Sequence, residues 1–142
     1  MIQLILLSVL LNPVFASNLK SNKEVVREFY ETAFNKHQPR LAMEKFVGPS
    51  YKQHNPYVDN GKKPFIDYFE EYYKTHKESF IEIKRMIAED DLVVVHVHSK
   101  ENKNDRGRAV IDIFRVTDGK ISEHWDVGQS IPEKSANKNT MF

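Results

Sequence analysis

Leu92 to Gln129 reads LVVVHVHSK ENKNDRG RAVIDIFRVT DGK ISEHWDVGQ, three runs of branched and aromatic residues separated by polar, turn-forming segments. Such side chains suit a pleated, half-buried surface, and Asp118-Gly119 is a two-residue connection of the kind hairpins favour. The pattern predicts three antiparallel strands over 92–100, 108–117 and 121–129. Strand period is two, so Val93, Val95 and Val97 share one face while Val94, His96 and His98 share the other. In the next strand Val110, Asp112, Phe114 and Val116 share a face, which sets a carboxylate inside an apolar row.

Upstream, Phe80 to Ala88 alternates through Ile81, Ile83 and Ile87 and predicts a fourth strand, with Glu89-Asp90-Asp91 as an acidic turn. The segments before it are mainly helical in period. Ser21-Asn22-Lys23-Glu24 forms a capping box, and Val25, Val26, Phe29, Tyr30, Ala33 and Phe34 make one apolar stripe ending near Lys36. Pro39 suits the first turn of a short second helix carrying Leu41, Ala42 and Phe46, and Gly48-Pro49 punctuates it. Tyr51-Lys52-Gln53-His54-Asn55-Pro56 is an extended piece. A third helix over 63–76 aligns Phe65, Ile66, Phe69, Tyr72 and Tyr73. Helices first and a meander afterwards predict an α+β domain, a curved antiparallel sheet wrapped around N-terminal helices.

The chain has 142 residues, room for one domain whose core needs no disulfide or metal. Its 21 basic and 20 acidic residues are interspersed and leave a formal charge of +1, so nucleic acid is not an expected partner. Cysteine is absent, which removes thiolate metal sites and thiol nucleophiles but says nothing of location. Met1 to Leu11 is an apolar run, too short to span a bilayer, broken at Asn12-Pro13 and followed by Val14-Phe15-Ala16. It reads as a secretory signal, residues 1–16, cleaved after Ala16, although no Lys or Arg precedes the run; the alternative is an apolar leader packed on the domain. The expected organisation is a signal over 1–16, a domain over 17–131 that is not membrane-embedded, and a flexible Lys-, Asn- and Ser-rich tail over 132–142, in a secreted or periplasmic protein.

With no phosphate loop, zinc-spaced pair or nucleophile elbow, any chemistry must lie in dispersed side chains. Asp112 is the most informative of them. A carboxylate in an apolar row is costly to bury ionised, so it should be hydrogen-bonded, paired or protonated, and each state can serve proton transfer beside a carbonyl. The plainer reading sets it on a wetter face or pairs it with Arg108 or Arg115. His96 and His98 point the same way and can orient such a base, bind a metal with His54 or Asp112 as third ligand, or sit half-buried against backbone. His54-Asn55-Pro56 is either aimed by Pro56 or simply a turn. Strict alternation sets Trp125 on the face of Ile121 and Val127, as core or as a ligand platform. Tyr30, Tyr51, Tyr68 and Tyr72 can be core or cavity wall.

The run Tyr51 to Pro56, the Asp105-Arg106-Gly107 turn, Asp112 to Val116 and Asp118 to Val127 together resemble the SnoaL-like polyketide-cyclase family of the nuclear-transport-factor-2-like superfamily. The resemblance covers roughly residues 22–131. It implies a cone with a cavity at one end, and no metal or cofactor. It further implies an aspartate in the penultimate strand, matched by Asp112, as acid/base, with His98 and His96 facing it from the preceding strand. His54 and Trp125 resemble other cavity positions; with Asn55, Tyr51 and Phe114 they form the expected substrate-binding set. The expectation is a pocket for a small apolar carbonyl compound serving a cyclase-, isomerase- or aldol-type lyase reaction. The alternatives are a non-catalytic ligand-binding cone and a dimeric interaction domain, and a homodimer through the open sheet face is expected in any case.

Overall fold

The computed structural model describes residues 20–142; the signal read over 1–16 lies outside them. Helix α1 spans Asn22–Tyr30, and both halves of the capping box at Ser21 and Glu24 are made. The helix then widens into a π-helical turn, Glu31–Asn35, that its sequence period does not reveal. The turn brings Asn35 against the strand Phe80–Glu89: the Asn35 amide donates to Ile81 O at 3.2 Å, and its Oδ1 accepts from Ile81 N at 2.9 Å. One side chain thus occupies polar backbone on an edge strand that would otherwise invite pairing.

Helices α2 (Pro39–Phe46) and α3 (Lys62–Thr75) follow, separated by β1 (Val47–Gln53). In α2 the buried side chains are Pro39, Ala42, Met43 and Phe46, while Leu41, expected inside, is 47% exposed. The meander is β2 (Phe80–Glu89), β3 (Leu92–Lys100), β4 (Arg108–Thr117) and β5 (Lys120–Ser130), within one or two residues of expectation. Asp118 and Gly119 both take positive φ, as a tight hairpin of this kind requires. The sheet order is β1-β5-β4-β3-β2, and the extended piece beginning at Val47 adds to β5 in parallel, so the sheet is mixed rather than wholly antiparallel. Pro49 is tolerated because β1 is an edge. The helices cover one face of this open sheet, which with the family below gives the α+β cone. No helix among the described residues is long and apolar enough to cross a membrane. Residues 131–142 carry no helix or strand, and the Phe142 ring lies 4.5 Å from that of His98.

Besides a register shift between Val47 and Lys52 where β1 meets β5, two irregularities decide which side chains of the meander face inward. Between Ile83 and Arg85 the β2–β3 register shifts, so Met86 packs on the core and Ile87 turns out to 61% exposure. Between Arg115 and Val116 the β4–β5 register shifts as well, pairing Val116 with Ile121 but Arg115 with Glu123. An extra residue in one strand reverses the parity of everything beyond it. Ile121 is therefore fully buried and His124 is buried at 8% exposure, although strict alternation sets them on opposite faces. Trp125 goes to the outer face.

Candidate active site

Asp112 lies opposite Val95 on β3 and Asp126 on β5. Directly paired residues share a face, so Asp112 faces inward with Val93, Val95 and Val97 and is 8% exposed. His96 pairs with Ile111 and His98 with Ala109, on the other face. The expectation that these histidines face Asp112 is thereby corrected: the valine row must meet the Asp112–Phe114 row in the core, which sends both histidines outward. His98 Nε2 hydrogen-bonds Arg106 O at 2.7 Å, and His96 Nδ1 lies 3.1 Å from the Arg85 guanidinium. Burial and, after it, that guanidinium push the His96 imidazole below its usual range. His54 and Trp125 are corrected in the same way. Alternation in β1 sends Tyr51 and Gln53 inward and His54 outward, where its ring stacks on Trp125 at 4.6 Å and its Nε2 meets Glu123 Oε1 at 2.8 Å. His54, followed by Arg115, holds the Glu123 carboxyl below its usual range. Arg115 is committed to Glu123 and Asp91, so it is not the partner of Asp112.

The partners of Asp112 are Tyr30, whose hydroxyl donates to Oδ2 at 2.5 Å, and His124, whose Nε2 lies 2.9 Å from Oδ1. The far nitrogen, Nδ1, is 2.8 Å from Gln53 Oε1. That oxygen also accepts the backbone N–H groups of His54 and Asn55, both at 3.0 Å. Backbone N–H groups can only donate, so the Gln53 amide cannot be flipped, and His124 must carry its proton on Nδ1. It follows that Nε2 and Asp112 Oδ1 hold one proton between them; without it two lone pairs would face each other. The Gln53 amide in turn donates to the Tyr51 hydroxyl at 3.2 Å, and among the described residues the Tyr51 proton has no acceptor. Asn55 donates to both oxygens of Asp126, at 2.8 and 2.9 Å.

These groups end a cavity of about 900 Å3. Its opposite wall is aromatic, with Phe34, Phe65, Phe69, Tyr68, Tyr72 and Tyr73, and its floor includes Val97, Val110 and Phe114. Of the expected site residues, Asp112, Tyr51, Asn55 and Phe114 line it, while His54, His96, His98 and Trp125 do not. Tyr30, Gln53, His124 and Asp126 complete the polar end. His124 and Asp126 belong to the quoted motif, but their inward direction depends on the β5 bulge. Asp112, His124 and Asp126 each offer a ligand atom, all within 4.8 Å of one another, and are the described residues able to hold a cation; the set His96, His98, His54 is not assembled there.

Burial, and then the charge of Asp112, push the Tyr30 hydroxyl well above its ordinary value of 10.0. Burial and the carboxylates of Asp112 and Asp126 raise Tyr51 as well. Both stay donors at any physiological pH. A raised tyrosine pKa means that the protonated form is favoured by folding. Its contribution is complete below the unfolded pKa, about 10, and is lost as pH rises beyond it toward the folded value. The expected result is an unfolding free energy, read by urea titration, that falls above pH ~10 more steeply in the wild type than in Tyr30→Phe, by up to about 1.4 kcal/mol per pH unit. Equal slopes would mean that Tyr30 is solvated on the way to alkaline unfolding.

An α+β cone with a buried acid–imidazole pair at the end of an aromatic cavity defines a class of small-molecule pocket proteins. The chain belongs to the SnoaL-like domain family, whose model matches residues 26–124. Comparison with curated proteins finds no significant match. Solved structures with the same fold include TsrD from Streptomyces laurentii, 22% identical with a TM-score of 0.61 over 75% of this chain and 87% of that one. A candidate polyketide cyclase from Bacillus cereus is 20% identical, with a TM-score of 0.64 over 75% and 73% of the two chains. A candidate ketosteroid isomerase from Kribbella flavida is 14% identical, with a TM-score of 0.65 over 85% and 87%. At these identities the likeness is one of fold.

Proposed function

We propose that this protein is a cofactor-independent enzyme that moves a proton at a carbon beside a carbonyl, the step shared by isomerase- and cyclase-type reactions. The observation that carries the reading is the 2.9 Å contact between Asp112 Oδ1 and His124 Nε2 at the polar end of the cavity, where the bond of Nδ1 to Gln53 leaves one proton for the pair to share. Asp112 is the base. When the pair's proton rests on His124, the carboxylate accepts the proton from carbon and the imidazolium stays to balance the enolate. The free O–H of Tyr51 donates to the developing enolate oxygen, and its raised pKa keeps it a donor throughout. Tyr30 and Gln53 position the pair.

A second reading has one observation in its favour: both oxygens of Asp112 already have partners, as they would in a carboxylate that shapes a binding cavity without reacting. The experiment is hydrogen–deuterium exchange in D2O, read by NMR over a panel of enolisable aryl and alicyclic ketones. Enzyme-dependent exchange on the α-carbon of any of them supports catalysis. Binding without exchange across the panel gives the protein over to ligand carriage. Export through the leader over 1–16 belongs to the proposal too, with cell fractionation as its test. So does homodimerisation through the outer sheet face, where Val127 is 71% and Ile87 61% exposed; light scattering reads it.

A further inference from the structure

The cavity has a second end. Arg108, Val110 and Asp112 alternate along β4 on the inward face, so Arg108 stands four residues, or about 13 Å of strand rise, from the acid. Arg108 is an exposed residue at this open end, and its guanidinium stays close to the sheet. It lies across β5 over Gly128, where a Cβ would come within 3.1 Å of Nη2 and 3.6 Å of Cζ. Gly128 pairs with Val110 and has an ordinary backbone conformation, so what its missing side chain provides is space for this guanidinium and for the Val110 side chain, whose Cγ2 would lie 3.3 Å from a Cβ there.

Among the described residues the Arg108 side chain has no hydrogen bond and no ion pair. The acids at the same mouth are engaged otherwise. Asp105 accepts the backbone N–H groups of Glu101 and Gly107, each at 3.0 Å, and the Glu101 carboxylate approaches His76 at 3.9 Å. Lys100, bonded to Lys103 O at 3.1 Å, and Arg106 border the same mouth and add positive charge. A guanidinium held at the open mouth of the cavity without a partner, with its donors in a planar fork, fits a planar anion.

We propose that Arg108 is a specificity-determining residue that binds a carboxylate at the far end of an elongated, aromatic or polycyclic substrate whose reacting ketone sits at Asp112. The proposal rests on the reading of this cavity as the substrate site. The substrate class is therefore an aryl or polycyclic keto acid, with keto and acid groups at opposite ends of a rigid apolar body.

The probe is a biphenyl bearing an acetyl group at one para end and a carboxylate at the other, compared with its primary amide, by calorimetry on the full chain. The wild type is expected to bind the acid about ten-fold more tightly than the amide, or better, as a charge-assisted bidentate contact allows. Arg108→Gln brings the ratio to within about two-fold of one, and Gly128→Val, which displaces the guanidinium without removing it, does the same. Equal affinities in the wild type, absence of binding by both probes, or a preference that survives in either variant overturns the proposal. Deuterium exchange at the acetyl methyl is followed in parallel. A preference, with no exchange on this probe or on any ketone of the panel, sinks the catalytic reading and leaves the anion site standing; exchange without a preference does the reverse.

Discussion

Replacing Asp112 with Asn lowers α-proton exchange by about 10²- to 10⁴-fold, the usual contribution of a positioned general base, while the fold survives. The geometry explains why the fold survives. The Asn carbonyl still accepts the Tyr30 O–H, and its amide N–H can donate to His124 Nε2, which carries a lone pair because Gln53 holds the imidazole proton on Nδ1. The substitution therefore keeps both hydrogen bonds and removes only the capacity to take a proton from carbon. Circular dichroism and the urea midpoint check the fold, and NMR exchange on the best ketone of the panel checks the rate. His98→Ala, on the outer face, is the matched control and should leave the rate within about two-fold. Full exchange in Asp112→Asn would assign the proton transfer to another group.

Phe29→Ala should be among the most destabilising single changes in the chain, costing about 3–5 kcal/mol. Phe29 is 1% exposed and sits where the helices meet the sheet. Its ring lies 5.7 Å from that of Phe65, 5.8 Å from Phe114, 6.0 Å from Phe34 and 6.3 Å from Tyr30, three of these contacts edge-on. Truncation removes the buried area, leaves a void, and loosens Phe114 and Tyr30, the residues that flank and bond the Asp112 carboxylate. Ligand affinity should fall along with stability for that reason. Tyr68→Ala, at 57% exposure on the cavity rim, should cost less than about 1 kcal/mol. Urea unfolding of the two variants makes the comparison, and a cost below about 1.5 kcal/mol for Phe29→Ala would mean that the helices settle into the void.

The Asp112 neighbourhood was partly legible before any coordinates. Val93, Val95 and Val97 form one fully apolar row and Val110, Phe114 and Val116 another, and two apolar rows of adjacent strands belong on one buried face. That reasoning puts Asp112 on the face of the valine row and sends His96 and His98 outward, against the expectation that they orient Asp112; the register that sets it opposite Val95 came from the structure. The three-helix, four-strand order was legible as well, because hydrophobic period and turn chemistry are local properties. Joining Val47–Gln53 to β5 was not, since a parallel pairing across some seventy residues leaves no mark in local sequence.

What the sequence by itself determined was the family, the class of fold, nearly every element boundary of the meander, and the one carboxylate set in an apolar row. What only the tertiary structure decided was which groups meet that carboxylate. Tyr30 arrives from a helix, Gln53 from an edge strand paired in parallel, and His124 from a strand whose bulge reverses its alternation. Each of these depends on register and packing between distant segments. A two-residue period read along a single strand carries no information about either, because one inserted residue turns every later side chain to the opposite face.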